Sequence, residues 1–175
     1  MPLTVADDLN ALFDLERLDA DLFRGVNEKT ASARPALFGG QVAGQALRAA
    51  ALTVPDGRMP HSLHGYFLRP GRWQHPVILK VDRDRDGKSF SARHVSAVQE
   101  GQVIFSALAS FHIAESGPEF APALPEQADP DGMPEERALL SMFAPAFTIR
   151  PFPPVRPYGP DEYPLPARLW AKSTV

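Results

Sequence analysis

The stretch Phe38-Gly39-Gly40-Gln41-Val42-Ala43-Gly44-Gln45-Ala46-Leu47-Arg48-Ala49-Ala50-Ala51-Leu52 decides the fold of this chain. The spacing of its apolar residues predicts a helix that is apolar around most of its circumference. Gln41, Gln45 and Arg48 leave only a narrow polar strip. A helix of this kind is usually buried, and its small side chains let other backbone approach closely. We therefore expect the domain to be built around it.

Two glycines at the start of this helix indicate a possible binding site. Gly39 and Gly40 carry no side chains, so the N–H groups of the first turn and the positive end of the helix dipole face outward. Together with the amide of Gln41, such an end can bind an anion or a polarised carbonyl oxygen. The same glycines can instead serve only a tight turn into a packed helix, and the pattern alone favours that second interpretation.

The composition limits the class of protein. The chain has 175 residues, 44% of them hydrophobic, and a net charge of −3, which suits one domain or one and part of a second. No basic block occurs, so we expect no nucleic-acid partner. Cysteine is absent, which excludes disulfides and thiolate metal sites and fits a cytoplasmic protein. Neither a signal peptide nor an apolar run of membrane-spanning length occurs, so no membrane association is expected.

Before the helix the pattern is short and irregular. Within residues 3–18, Val5, Leu9, Leu12, Phe13 and Leu15 can form one face of a short helix. Residues 18–26 are expected to form a first strand. Residues 27–37 are small and polar and predict a loop that leads into the central helix. Pro55 and Gly57 then end that helix.

From residue 61 the apolar pattern alternates, which is typical of strands. Strands are expected over residues 62–69, 77–84, 90–98 and 103–113, and Asp86-Gly87 and Glu100-Gly101 supply turn signals between them. We expect these four strands to form an antiparallel meander wrapped around the helix. One face of the last strand is predicted to carry Val103, Phe105, Ala107, Ala109 and Phe111.

The character of the chain changes after Ala114, because thirteen of the nineteen prolines follow it. Residues 115–145 predict a proline-rich acidic linker, with a short helix over residues 135–143. Residues 147–152 and 167–171 predict two strands that cannot bury their own faces. The predicted organisation is a first domain over residues 1–114, the linker, and the start of a second, truncated domain over residues 146–175. An extension packed on the first domain fits the same pattern.

Several of these stretches resemble the acyl-CoA thioesterase II (TesB-type) family. They are Phe38–Leu47, His61–Gly71, Asp86–Arg93 and Ala109-Ser110-Phe111, and the resemblance spans about residues 15–114. It implies an α+β hotdog fold, in which an antiparallel sheet wraps around one long central helix. It also implies an enzyme with two hotdog repeats that hydrolyses acyl-CoA thioesters to a fatty acid and CoA, without a metal or other cofactor.

The resemblance places the hydrolytic machinery elsewhere. In the family, an Asp, a Ser or Thr, and a Gln of the second repeat hold and activate the attacking water, and these would lie beyond Val175. In agreement, no Asp or Glu occurs between Lys29 and Pro55. We therefore expect this chain to be the N-terminal half, inactive alone, with Gly39, Gly40 and Gln41 as its oxyanion candidates.

Three residues at the start of the stretch His61–Gly71 are further catalytic candidates. His61 and His64 can act as a general base, since imidazole titrates near neutral pH, and strand alternation predicts that they face opposite sides. Ser62 occupies roughly the place where the second repeat carries its Asp. The alternative for both histidines is a hydrogen-bonded position at a sheet edge, and no Gly-x-Ser-x-Gly elbow accompanies the serine.

The remaining candidates concern ligands and partners. Arg69, Arg72, Lys88 and Arg93 can bind CoA phosphates at the rim of the sheet, the alternative being solvated surface charge. The expected partners are acyl-CoA and either a second hotdog repeat or another copy, because one curved sheet leaves an edge strand uncovered. The alternative function is a non-catalytic hotdog module that dimerises and binds acyl groups.

Overall fold

The computed structural model describes residues 10–27, 36–123, 129–135, 147–152 and 168–173. These residues divide into two compact units, residues 10–117 and the described residues that follow. Most of the predicted loop 27–37 and of the predicted helix 135–143 lies outside the described residues, so those predictions and the predicted domain limits stay predictions. Among the described helices, none combines the length and the apolar character needed to cross a bilayer.

The first unit is one antiparallel sheet packed against one long helix. The helix α1 is Gly39–Ala51, and the strands are β1 (Glu16–Asp19), β2 (Leu22–Gly25), β3 (Arg58–Phe67), β4 (Val77–Asp86), β5 (Phe90–Gln99) and β6 (Gln102–Ile113). Neighbours in the order β1-β2-β4-β5-β6-β3 pair antiparallel. Because α1 packs against every strand from β2 to β6, the predicted helix wrapped by a sheet is confirmed.

The core lies between α1 and the inner face of the sheet, which is the face turned toward α1. Ala46, Ala49 and Ala50 of α1 are fully buried. They belong to one cluster with apolar side chains that alternate along the strands, among them Phe23, Leu79, Val95, Ala107 and Phe111. The alternation predicted from the sequence for β6 therefore places its buried side chains correctly from Phe105 onward.

Two predictions about the sheet are wrong. The single strand over residues 18–26 is wrong because β1 and β2 form a hairpin that turns at Ala20 and Asp21, where the amide of Ala20 donates a 2.7 Å hydrogen bond to Asp19 Oδ1. The four long strands do not form a meander either, because β3 pairs with β6 and not with β4. β3 is consequently an edge strand, at the opposite side of the sheet from β1.

Bulges interrupt the alternation in the edge strand β3 and in β6, which pairs with it. In β6, Ala97 pairs with Phe105 but Val98 pairs with Val103, so Ile104 is an extra residue. Ile104 and Phe105 are both buried, and Val103, opposite Val98, does not share a face with Phe105 as predicted. In β3 the register shifts between Pro60 and Ser62.

The second unit contains the two strands predicted near the end of the chain. β7 (Phe147–Pro151) and β8 (Leu169–Ser173) pair antiparallel with each other. A short 3-10 helix, Pro130–Gly132, accompanies them, and Arg150 donates hydrogen bonds to the carbonyl oxygens of Pro130 and Met133.

A fully buried arginine fixes the C-terminal end of α1 to the sheet. All the N–H groups of Arg93 donate to protein acceptors, including Thr53 Oγ1 at 2.9 Å, Thr53 O at 3.0 Å and Asp86 Oδ1 at 2.7 Å. Its Nη1 also donates to the carbonyl oxygens of Arg85 and Ala92. A buried guanidinium is tolerated only when it is satisfied in this way.

The carboxylate of this pair is held in its charged form. The pKa of Asp86 is lowered, first because the hydroxyl of Ser91 donates to it and then because Arg93 does. Arg58 extends the cluster by donating to Ser91 at 2.6 Å and to the carbonyl of Gly87 at 2.7 Å. The turn between β4 and β5 is therefore part of the same structural cluster as the end of α1.

We expect Arg93→Met to lower the free energy of unfolding by about 3 kcal/mol, because it removes every donor to Thr53 and the buried partner of Asp86. Chemical denaturation measures the loss. Arg83→Met is the control, since Arg83 pairs with Asp21 at an exposed site and its loss should cost under about 1 kcal/mol. Equal losses in the two variants would contradict the structural importance of Arg93.

Candidate functional site

The start of α1 carries no cap from a side chain. Phe38 is the N-cap residue, the first turn has no acidic side chain, and the amides of Gln41 and Val42 both donate to the carbonyl of Phe38. Within the described part of the chain, the amides of Gly39 and Gly40 have no acceptor. Two N–H donors and the positive end of a helix dipole are therefore available at this point.

The glycines also have a packing role. A Cβ at Gly39 would lie 3.0 Å from the ring of Phe67, and one at Gly40 would overlap the ring of Phe38. The absence of side chains therefore lets two aromatic rings pack against the first turn. Both interpretations of the glycines, a donor site and a close packing contact, are compatible with this geometry.

A cavity of about 390 Å³ adjoins the helix start. Its lining is mainly apolar, and one charged side chain, Arg69, contributes to it. Its walls include Leu37, Gly39, Val42, Phe67, Arg69 and Ile104. A mainly apolar cavity of this size with a few convergent polar groups is typical of a small-molecule site. The structure thus brings together two of the sequence-predicted residues, Gly39 and Arg69.

Amide side chains anchor the connection between β3 and β4, part of which lines this cavity. Gln41 donates to Asn27 Oδ1 at 2.8 Å, and Asn27 donates in turn to the carbonyl of His75 at 2.6 Å. Gln99 donates to the carbonyls of Arg72 and His75 and accepts from the amide of Arg72 at 2.8 Å. The connection between β3 and β4 is therefore anchored both to α1 and to the end of β5. Asn27 and Gln99 were not predicted from the sequence, because no local pattern marks them.

The polar strip predicted on α1 does not face solvent as a whole. Gln41 is 8% exposed and Gln45 is fully buried, whereas Arg48 is exposed. Gln45 donates to the carbonyls of Leu12 and Val26, and its Oε1 is the one buried side-chain N or O atom without a partner among the described residues. The two glutamines therefore bind interior backbone and side-chain groups rather than water.

His61, Ser62 and His64 lie on the outer face of the sheet, which is the face turned away from α1. His61 Nε2 lies 2.8 Å from Ser110 Oγ, and Ser110 is between the buried residues Ala109 and Phe111 of β6. Ser62 is paired with Ser110 in the register of β3 and β6.

The prediction that His61 and His64 face opposite sides is wrong. His64 pairs with the exposed Leu108 and contacts the ring of Tyr66 at 5.0 Å, so it also faces outward. The bulge between Pro60 and Ser62 adds a residue and turns His61 to that same face. The structure therefore does not bring these histidines together with the start of α1.

The four phosphate candidates lie at two ends of the fold. Arg69 and Arg72 lie near the start of α1, and both are exposed. Lys88 follows Asp86 in the turn that Arg93 ties to the end of α1, about 20 Å away along a helix of 13 residues. The donors of Arg93 are all engaged inside the protein, so the structure gives this residue a structural role.

Comparison with known proteins matches this architecture to one family. Residues 27–112 match the family model of the acyl-CoA thioesterase N-terminal domain. The chain is 37% identical over 140 residues to acyl-CoA thioesterase 2 of Haemophilus influenzae, covering 80% of this chain and 48% of that protein. It is 48% identical over 110 residues to human acyl-coenzyme A thioesterase 8, covering 63% of this chain and 34% of that protein.

A solved structure gives the same result. The acyl-CoA thioesterase II TesB2 of Mycobacterium marinum superposes with a TM-score of 0.73 at 37% identity, covering 94% of this chain and 60% of that one. The chain spans half or less of the length of the curated relatives described above. By fold and by sequence, this chain belongs to the acyl-CoA thioesterase II (TesB-type) family, and residues 27–112 match the N-terminal domain of acyl-CoA thioesterases.

Proposed function

We propose that this chain is the N-terminal half of an enzyme that hydrolyses acyl-CoA thioesters to a free fatty acid and CoA. The observation that supports this most is the start of α1, where the amides of Gly39 and Gly40 have no acceptor among the described residues and Gly39 lines a mainly apolar cavity. The names of the relatives supply the substrate class, and the absence of cysteine fits an enzyme of the cytoplasm.

In this proposal the two amides bind the thioester carbonyl oxygen and stabilise the negative charge that develops on it. Losing one such donor typically costs about 3 kcal/mol of transition-state stabilisation. Gln41 has a positioning role. Its side-chain amide donates a hydrogen bond to Asn27, toward the connection between β3 and β4 that forms part of the cavity wall. Arg69 and Arg72 are the cations available at this end for the phosphates of CoA.

The groups that activate the water come from outside this chain. No Asp or Glu occurs between Lys29 and Pro55, and His61, Ser62 and His64 lie on the other face of the sheet from α1. The family resemblance assigns this step to an Asp, a Ser or Thr, and a Gln of a second repeat. The same lack of a carboxylate between Lys29 and Pro55 supports the alternative, a module that dimerises and binds acyl groups without cleaving them.

The second repeat, or another copy of this chain, is proposed to pair with the free edge of β3. This edge strand has ten residues, whereas β1 at the other edge has only four. A long exposed edge is a ready template for another strand. Leu63 and Phe67 are 41% and 60% exposed beside it, on the side of the sheet that faces α1. A partner at this edge would cover both the strand and these apolar side chains.

We expect the 175-residue chain alone to show no acyl-CoA hydrolysis above background, and the chain continued by a family-type second repeat to hydrolyse it. Release of CoA thiol, followed with a chromogenic thiol reagent, measures both. Calorimetry with the same acyl-CoA separates the alternatives, because heat of binding without product supports the acyl-binding module. Turnover by the 175-residue chain at the rate of the two-repeat protein would refute the proposed division of the site.

We expect Leu63→Glu to weaken association of the chain, with a second copy or with a second repeat, by at least about tenfold, because it places a charge in the proposed apolar contact. Sedimentation equilibrium measures the association constant. Leu18→Glu is the matched control, since Leu18 is equally exposed (42%) but belongs to the opposite edge strand. If both variants weaken association equally, or neither does, the β3 edge is not the interface.

A further inference from the structure

The outer face of the sheet carries a cluster of three side chains that the proposed function does not use. His94 Nε2 of β5 lies 2.9 Å from Ser106 Oγ of β6. The other ring nitrogen of His94, Nδ1, lies 3.5 Å from Asp82 Oδ2 of β4. Each residue is on a different strand, and each lies on the face turned away from α1. Hydroxyl, imidazole and carboxylate therefore follow one another across three adjacent strands.

The strand register and the ionic contacts of Asp82 fix the relative positions of these three side chains. Asp82 is directly opposite His94 in the register, and Ser106 is opposite Ser96, one diagonal step from His94. The other oxygen of Asp82 binds Lys80 Nζ at 3.1 Å. Hydrogen bonding from Lys80, with a smaller effect of His94, lowers the pKa of Asp82. The carboxylate is thus anionic beside Nδ1, which favours the tautomer with its proton on Nδ1 and leaves Nε2 to accept from the serine.

We propose that Ser106 is an activated nucleophile, with His94 as its general base and Asp82 as the positioning residue, that becomes acylated by activated acyl donors. A nucleophile within hydrogen-bond reach of a base that a third group orients is the arrangement from which serine nucleophiles gain reactivity. All three side chains are accessible, with His94 and Asp82 35% and 45% exposed. Leu108 and Tyr66, both more than half exposed, flank the serine and provide apolar surface for an acyl group.

The reaction step transfers one acyl group. Ser106 Oγ bonds to the carbonyl carbon of the donor as its proton moves to His94 Nε2. The bond from that carbon to the leaving group then breaks, and His94 returns the proton to the leaving group. Acyl–X and the serine hydroxyl thus give acyl-serine and HX. The strands around Ser106 pair on both sides, so their amides are engaged and provide no oxyanion site. We therefore expect stoichiometric acylation rather than rapid turnover.

The chain contains its own control for this proposal. Ser110 is on the same strand and face, and its Oγ lies 2.8 Å from His61 Nε2. Among the described residues, no carboxylate pairs with His61. Ser110 thus has a histidine but lacks the third member, so a comparison of the two serines isolates the contribution of the carboxylate.

The test is incubation of the protein with an alkyl fluorophosphonate and, separately, with p-nitrophenyl acetate, followed by intact-mass and peptide mass spectrometry. We expect one adduct per chain, on Ser106, and none on Ser110. Ser106→Ala should abolish the adduct, and Ser110→Ala should leave it unchanged. His94→Gln should slow labelling roughly 100-fold. Adducts spread over several serines, or on Ser106 no faster than on Ser110, would overturn the proposal.

The test of the positioning role of Asp82 needs a measurement that a purely structural effect of the substitution would not change. We expect Asp82→Asn to slow labelling at least about tenfold and Asp82→Glu to restore most of the rate. In proton NMR, the downfield Nδ1–H signal of His94 should be present in the native protein and lost in Asp82→Asn. Circular dichroism and thermal melting establish that each variant is folded. Unchanged labelling and an unchanged signal in Asp82→Asn would remove Asp82 from the proposal.

Discussion

The close approach of α1 to the sheet is the constraint on which the rest of the structure depends. Ala46, Ala49 and Ala50 present only methyl groups to the strands, so the helix can contact five of them at once. On its other side Gly44 admits the ring of Phe13, against which a Cβ would clash at 2.6 Å. Because larger side chains on either side would push these layers apart, the small residues set the thickness of the domain.

Small apolar residues alone would allow the helix to slide along its axis, since one methyl group resembles the next. Hydrogen bonds at its two ends remove that freedom. At the start, Gln41 binds Asn27, and at the end Thr53 accepts from the buried Arg93. Such polar contacts in a dry interior are costly when incomplete and restrictive when satisfied. They fix the first turn relative to the cavity wall, as the proposed function requires of its amide donors.

The repeating patterns of apolar residues determine how much of the fold could be predicted from the sequence. Helical spacing of apolar residues correctly predicted the central helix, and alternation, which indicates the side chains that share a face of a strand, correctly predicted the buried residues of β6 from Phe105 onward. Alternation does not indicate which strand is the neighbour, and the pairing of β3 with β6 was missed. It also fails at a bulge, where one extra residue reverses the parity, as at His61. The burial of Arg93 was out of reach, because its acceptors converge only in the folded chain.

The bulge at His61 decides on which face of the sheet this imidazole lies. It places His61 beside Ser110, so that His61 faces away from α1, as His64, His94 and His112 also do. An imidazole across the sheet cannot reach a carbonyl held at the start of α1, so none of these four histidines can be the base in the proposed hydrolysis. The hydroxyl and imidazole pairs of the outer face are correspondingly separate from the start of α1. The two proposals can therefore be tested separately, because they involve different side chains on opposite faces of the sheet.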